Sequence, residues 1–158
     1  VVAQYGAGVV MMHMQGMPMT MQEAPRYDNV VGDVRMFFVE RIAAAECAGI
    51  VKSQIVLDPG FGFGKLLMHS LELLNHLSSF DQLGCPVLVG LSRKAFLGRI
   101  LDRPVLDREW GTAAAVALAV DRGASIIRVH DVASMKDVVM VAAAVHAASL
   151  TLKQEDYA

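Results

Sequence analysis

Four short runs of β-branched and apolar residues, separated by helical patterns, limit what this chain can fold into. The runs are residues 8–14, 54–57, 86–89 and 125–129. Each is nearly continuous rather than alternating, which is typical of parallel strands covered on both faces. The segments between them carry apolar residues at spacings of three and four, which predicts helices. The sequence therefore predicts four consecutive βα units.

Capping residues mark where these helices begin and end. Asp28 is the predicted N-cap of the first helix, and Gly49 closes it. Gly123 is the predicted stop of a helix that starts near Glu109. Ser134 has the spacing of a capping box and opens a last helix that runs to about residue 152.

Two α/β architectures accommodate four βα units. One is a four-stranded doubly wound sheet. The other is half of a (β/α)8 TIM barrel, since a complete barrel typically needs about 250 residues and this chain has 158. The spacing of apolar residues along the chain does not distinguish these two architectures.

Composition excludes several classes of protein. With 54% hydrophobic and 19% charged residues and a mean hydropathy of +0.43, the chain is not predicted to be disordered. A net charge of −2 argues against a nucleic-acid partner. The apolar run at 138–152 is shorter than the ~18–20 residues of a membrane span. Without a leader pattern we expect a cytoplasmic protein, in which Cys47 and Cys85 are buried, reduced thiols.

Polar and glycine-rich segments follow all four predicted strands. Parallel α/β folds place their sites at this edge. We call these four segments, residues 12–16, 58–65, 90–94 and 128–131, the mouth.

The glycine-rich segment at 58–65 does not match a nucleotide phosphate loop. Pro59 stands where a Walker A sequence needs its first glycine, and Leu66 replaces the Ser or Thr. The alternating glycines also fail the G-x-G-x-x-G pattern. They instead predict a backbone that approaches a flat ligand closely, with Phe61 or Phe63 stacking on it. A plain tight turn with core phenylalanines is the alternative.

The charged residues of the mouth suggest roles in binding. Asp58 could accept two hydrogen bonds from an amino-pyrimidinone edge or merely form a turn. Lys94 is placed to donate to a carbonyl or ring nitrogen. Arg128 and His130 lie two apart on one predicted strand, share a face and suit an anion such as diphosphate. His13 is either a core residue or a ligand contact. The sequence contains none of the residue spacings that are typical of metal-binding motifs.

Together these segments resemble dihydropteroate synthases. The matching stretches are MHMQGMPMTMQ (12–22), DPGFGFGK (58–65), GLSRKAFLG (90–98) and RVHDV (128–132). The resemblance implies a (β/α)8 barrel that condenses 6-hydroxymethyl-7,8-dihydropterin diphosphate with p-aminobenzoate, giving 7,8-dihydropteroate and diphosphate with the help of Mg²⁺. It implies that residues 1–158 form one pterin-binding domain, the four C-terminal βα units, with the N-terminal half-barrel and its Mg²⁺ ligand outside this chain.

The same resemblance assigns roles to residues of the mouth. Lys94, Arg128 and His130 would be catalytic, and Arg128 and His130 would hold the diphosphate. The pterin would contact seven residues: Met12, Asp58, Gly62, Phe63, Gly90, Lys94 and Arg128. The p-aminobenzoate would contact Phe63, Ser92, Arg93 and Lys94, while Ala95 stands where many members carry Ser.

Partners and alternatives follow from the family as well. Sulfonamides would compete with p-aminobenzoate, and the late helices would form a homodimer. One alternative is a non-catalytic pterin-binding half-barrel. Another is a pterin-dependent methyltransferase, against which the SRK and RVHDV stretches argue.

Overall fold

The computed structural model describes residues 1–155, with side chains through residue 148. Its strands are β1 (Val9–Met12), β2 (Ile55–Asp58), β3 (Leu88–Val89) and β4 (Ile126–Ile127). Its α-helices are α1 (Val2–Tyr5), α2 (Val30–Cys47), α3 (Leu67–Asn75), α4 (Ala95–Leu101), α5 (Glu109–Asp121) and α6 (Val132–Glu155). Short 3₁₀ helices cover Lys52–Gln54, Leu77–Leu83 and Val105–Asp107. Each predicted strand is present; β1, β3 and β4 are shorter than their apolar runs, and β2 lies one residue later than the run 54–57.

The strands lie side by side in chain order and run parallel. β1 pairs with β2 from Val9–Ile55 to Met12–Asp58, and β3 pairs with β4. A single parallel bridge between Leu57 and Val87 joins the two pairs. A doubly wound sheet reverses its strand order at a switch point, and these four strands do not. They wind in one direction, as in half of a TIM barrel.

Burial separates the two faces of this sheet. On the face covered by helices, Ile55 and Leu57 are fully buried. On the other face, Val10 is 51% exposed and Ile126 39% exposed. In a closed barrel the inward-facing side chains pack in layers, so the exposed face corresponds to the barrel interior.

Helix α2 begins one residue later than predicted. The side chain of Asn29, not Asp28, accepts a hydrogen bond of 2.9 Å from the Gly32 backbone N–H. The apolar spacing of three and four residues predicted for this helix is confirmed, because Val30, Val34 and Phe38 are buried in the core. A capping oxygen must reach the first free N–H groups, and only the backbone path shows which residue does.

Helix α6 begins at Val132, so the predicted capping box at Ser134 is wrong. Ser134 lies inside the first turn, where its hydroxyl donates to the Asp131 carbonyl oxygen at 3.4 Å. None of the helices among residues 1–155 is both long and apolar enough to span a membrane.

The two cysteines differ in environment. Cys85 is buried, as expected, but Cys47 is exposed at the end of α2. Ala45 is the last buried residue of that helix, and the turn beyond it faces solvent. The expectation of two buried thiols is therefore wrong for Cys47.

Candidate functional site at the mouth

Within the mouth, the charges of Lys65, Lys94 and Arg128 act on the Asp58 carboxylate. Asp58 ends β2, while Lys94 and Arg128 follow β3 and β4. Burial raises the pKa of Asp58, and this is opposed by a 2.8 Å hydrogen bond from the Gly60 N–H and by the charges of Lys94, Lys65 and Arg128. Burial lowers the pKa of Lys94, Asp58 raises it and Arg128 lowers it further. The surplus of positive charge favours an anionic ligand.

Phe63 and Lys94 lie against each other beside this cluster. The Lys94 Nζ is 4.3 Å from the centre of the Phe63 ring, within the range of a cation–π contact. Met12, 38% exposed, pairs with Asp58 on the neighbouring strand. A Cβ at Gly90 would meet nothing within 4 Å. The mouth thus offers an aromatic surface, a thioether and open space next to the charged groups.

The glycines of the 58–65 segment serve mainly to pack one loop on another. Gly60 and Gly64 have φ of +70° and +61°, and a Cβ on either would overlap backbone oxygen, that of His13 or of Gln15. Gly62 faces Lys94, since its Cβ would lie 3.6 Å from Lys94 Cδ. At Gly60 and Gly64 the close approach is therefore to neighbouring backbone, and an approach to a ligand stays a prediction. Phe61, 1% exposed, is a core residue, which leaves Phe63 as the ring open to a ligand.

The 90–94 segment is tied to the residues that follow β4. The buried Ser92 hydroxyl lies 2.9 Å from His130 Nδ1. Arg93 donates through Nη2 to both carboxylate oxygens of Asp131, at 2.8 and 3.1 Å. Two adjacent residues after β3, Ser92 and Arg93, are therefore each hydrogen-bonded to a residue that follows β4.

Arg128 and His130 do not share a strand, because β4 ends at Ile127. Arg128 still donates its backbone N–H to the Val89 carbonyl at 2.9 Å, which holds it beside β3. Both side chains are exposed. The charge of Arg128 lowers the pKa of both Asp58 and Lys94. The His130 ring instead contacts the Ser92 hydroxyl.

A buried lysine and histidine pair was missed by sequence reasoning. Lys65 Nζ lies 3.0 Å from His13 Nδ1. The pKa of Lys65 falls to about 8, chiefly through burial, and that of His13 falls to about 4 through burial and the Lys65 charge. The one available signal was a lysine ending a glycine-rich segment directly after a strand. His13 itself is a core residue, with its ring 5.0 Å from that of Phe37.

We predict that His13 makes the protein acid-sensitive between pH 6.5 and 4. Burial and the Lys65 charge lower its pKa to about 4 in the folded chain, against the ordinary histidine value of 6.5. The unfolded chain therefore binds more protons in this window, and the free energy of unfolding falls as the pH is lowered. The loss should reach about 3 kcal/mol by pH 4, measured by urea unfolding.

His13→Gln is the control for this prediction. Asp58, whose raised pKa acts in the opposite direction, is present in both proteins, so the difference between them isolates His13. Equal pH dependence in the two proteins would contradict the prediction.

The described residues supply no cluster of metal-binding side chains. Among the side chains described, those of residues 1–148, there is no group of three or more His, Cys, Asp or Glu that could hold a metal ion. Asp58 has Lys94, Lys65 and Arg128 as its charged neighbours. Mg²⁺ needs oxygen ligands, and this cluster supplies chiefly cations.

The fold and the mouth together define a class of protein. Four parallel βα units in chain order present a carboxylate, cations and an aromatic ring at the carboxyl ends of their strands. This is half of a (β/α) barrel, and its mouth has the chemistry to accept a flat, polar ligand with an anionic group.

Comparison with known proteins identifies the family. Residues 1–130 match the family model described as pterin binding enzyme, so the chain belongs to the pterin binding enzyme family. A curated relative, the dihydropteroate synthase of Haemophilus influenzae, is 50% identical over 133 residues, which are 84% of this chain and 48% of the relative. The chain spans about half the length of the curated relatives it matches.

Solved structures agree with this assignment. The dihydropteroate synthase of Yersinia pestis, solved as a sulfonamide complex, superposes with a TM-score of 0.90 at 43% identity over 92% of this chain and 53% of that one. The Xanthomonas albilineans enzyme in complex with 7,8-dihydropteroate gives 0.84 at 48% identity over 92% and 53%. The prediction that this chain forms part of a TIM barrel is confirmed.

Proposed function

We propose that this chain is the pterin- and diphosphate-binding half of a dihydropteroate synthase. The reaction joins 6-hydroxymethyl-7,8-dihydropterin diphosphate to p-aminobenzoate, giving 7,8-dihydropteroate and diphosphate. The observation that carries the proposal is that Asp58, Lys94 and Arg128 lie close enough for their charges to act on one another, with the Phe63 ring against Lys94. Relatives that carry the same name support it.

Asp58 and Lys94 have the chemistry to hold the two sides of a pterin ring. A carboxylate accepts two parallel N–H bonds from an amino-pyrimidinone edge. The Gly60 N–H already bonds Oδ1 of Asp58, which fixes the carboxylate before any ligand arrives. Lys94 donates to a carbonyl or ring nitrogen, while Met12, Gly62, Phe63 and Gly90 leave a slot for the flat ring.

Arg128 and His130 would hold the diphosphate. As the C–O bond to the diphosphate breaks, negative charge develops on the leaving group and positive charge on the pterin. Preorganised donors that meet developing charge lower the barrier most, and Arg128 offers a guanidinium fork. The arylamine nitrogen then attacks the pterin carbon and loses its proton. This route needs no covalent nucleophile from the protein.

The p-aminobenzoate would lie on the outer side of the pterin, near Phe63, Ser92, Arg93 and Lys94. Arg93 is paired with Asp131, so we expect it to shape this subsite rather than to bind the carboxylate alone. Sulfonamides would compete here, as the Yersinia pestis complex suggests.

Three further properties belong to the proposal. The expected Mg²⁺ would need oxygen ligands beyond those of the described residues. A homodimer through the late helices would cover an apolar groove of about 610 Å³ between α5 and α6, which includes the exposed Leu118 and Val141. The expected location is the cytoplasm.

Arg128→Ala should weaken diphosphate binding and turnover together. Loss of the guanidinium fork removes a charge-assisted contact worth about 10- to 100-fold in affinity. Calorimetry with diphosphate measures this directly. Arg41→Ala removes one positive charge from the exposed surface of α2 and should leave the affinity unchanged. Equal affinities of the Arg128 variant and the wild type would remove Arg128 from the site.

The test of the function is dihydropteroate formation from labelled p-aminobenzoate, pterin diphosphate and Mg²⁺. Turnover by the chain supports the whole proposal. Pterin binding without turnover favours the non-catalytic half-barrel, since half of a relative's length is present. Failure to bind pterin overturns the proposal. Methyl transfer in place of dihydropteroate formation would identify the methyltransferase alternative.

A further inference from the structure

The Lys65 ammonium is surrounded by hydrogen-bond acceptors. The residue is only 4% exposed. Its Nζ lies 3.0 Å from His13 Nδ1, 3.1 Å from the Phe63 carbonyl oxygen and 3.4 Å from the His13 carbonyl oxygen. His13 directly follows β1 and Phe63 follows β2. One side chain therefore joins the ends of two strands.

The number of donors matches the number of acceptors. A lysine ammonium has three N–H donors and no acceptor. His13 Nδ1 must accept, so the ring is neutral with its proton on Nε2. A neutral amine has two N–H donors, so deprotonation leaves one of the three buried acceptors unpaired or forces the His13 tautomer to change. With the His13 proton on Nε2, the arrangement pairs every acceptor only when Lys65 is charged.

The Tyr27 side chain packs near the buried Lys65 ammonium. The Tyr27 ring centre is 6.0 Å from Nζ, and the Tyr27 hydroxyl donates to the Gly64 carbonyl oxygen at 2.9 Å. The charges that act on Lys65 are those of Asp58 and Lys94. Leaving a buried acceptor unpaired costs far more than losing an exposed hydrogen bond, so removal of the ammonium should displace the loops it joins.

We infer that Lys65 is a positioning residue that joins the end of β1 to the glycine-rich loop and thereby fixes Met12 and Phe63 in the pterin slot. It acts through His13 and the Phe63 backbone, without being assigned a pterin contact. The inference rests on the proposed function for the identity of the ligand. The hydrogen bonds from Lys65 to His13 and Phe63 lie within this chain, so they can be measured without any ligand.

Lys65→Met tests the inference, because methionine keeps a linear side chain but has no N–H donor. Nitrogen NMR should report His13 as the Nε2–H tautomer at pH 7 in the wild type. In the variant we expect the His13 pKa to rise from about 4 towards its ordinary value. We expect the Kd for 6-hydroxymethylpterin to rise about 10- to 100-fold. Lys52→Met, the same change at an exposed site before β2, should alter neither.

The pH dependence of binding supplies a second readout. Wild-type affinity should fall as the pH passes about 8, where Lys65 loses its proton. Lys65→Met retains Asp58, Lys94 and Tyr27, so its profile gives the contribution of those groups and of the ligand. The fall attributable to Lys65 is the difference between the two profiles. A merely structural lysine would not produce it.

The outcomes separate this inference from the proposed function. If the wild type binds pterin and the Lys65 variant has the same Kd and the same His13 spectrum, the inference is overturned. If the wild type binds no pterin, the proposed function fails. The contact that Lys65 makes between the two loops is then tested by the His13 spectrum alone: a changed spectrum in the Lys65 variant supports it, and an unchanged one contradicts it. If the variant does not fold, an Nδ1–H tautomer of His13 in the wild type at pH 7 overturns the inference, and the Nε2–H tautomer supports it.

Discussion

Asp58→Asn should raise the Kd for 6-hydroxymethylpterin by about 100-fold or more while leaving the chain folded. An asparagine retains one oxygen that can accept the Gly60 N–H bond now made to Oδ1. Its second atom becomes an NH₂ donor that faces the N–H donors of the ligand, so two attractive contacts become repulsive. Because burial raises the pKa of Asp58, loss of its charge removes a desolvation cost. Calorimetric titration measures the affinity.

Asp137→Asn on the exposed surface of α6 is the matched control. It makes the same change in charge away from the mouth and should bind as the wild type does. An affinity of the Asp58 variant within a factor of two of wild type would show that this carboxylate does not hold the ligand. The proposed orientation of the pterin would then be wrong.

Gly60→Ala should lower the free energy of unfolding by about 3 kcal/mol or more. Gly60 has a φ of +70°, and its new Cβ would overlap the His13 carbonyl oxygen. That oxygen also accepts from Lys65, so a shift of the backbone there disturbs both loops. Urea unfolding measures the change, and the variant should also lose affinity for pterin.

Gly49→Ala separates strain from overlap. Gly49 has a similar φ of +83°, yet a Cβ there meets nothing within 4 Å. Only the left-handed conformation is then penalised, at about 1 kcal/mol. If both variants lose the same stability, overlap with His13 contributes nothing and the account of loop packing fails.

Local sequence was sufficient to predict the elements and the location of the mouth. Continuous apolar runs such as 54–57 became strands, because β-branched residues covered on both faces favour parallel pairing. The apolar spacing from Val30 to Ile42 became the buried face of α2. Helix starts were less certain, as with Asn29 and Val132, because capping depends on where an oxygen lies rather than on residue type alone.

The sequence by itself determined which residues stand at the ends of the strands, and hence that Asp58, Lys94 and Arg128 share one edge. Only the tertiary structure decided the strand order, which excludes a doubly wound sheet. It alone paired Lys65 with His13, 52 residues apart, and assigned Gly60 and Gly64 to loop packing. These features are contacts between segments distant in the chain. Local periodicity and residue type carry no information about such contacts until the strands are laid side by side.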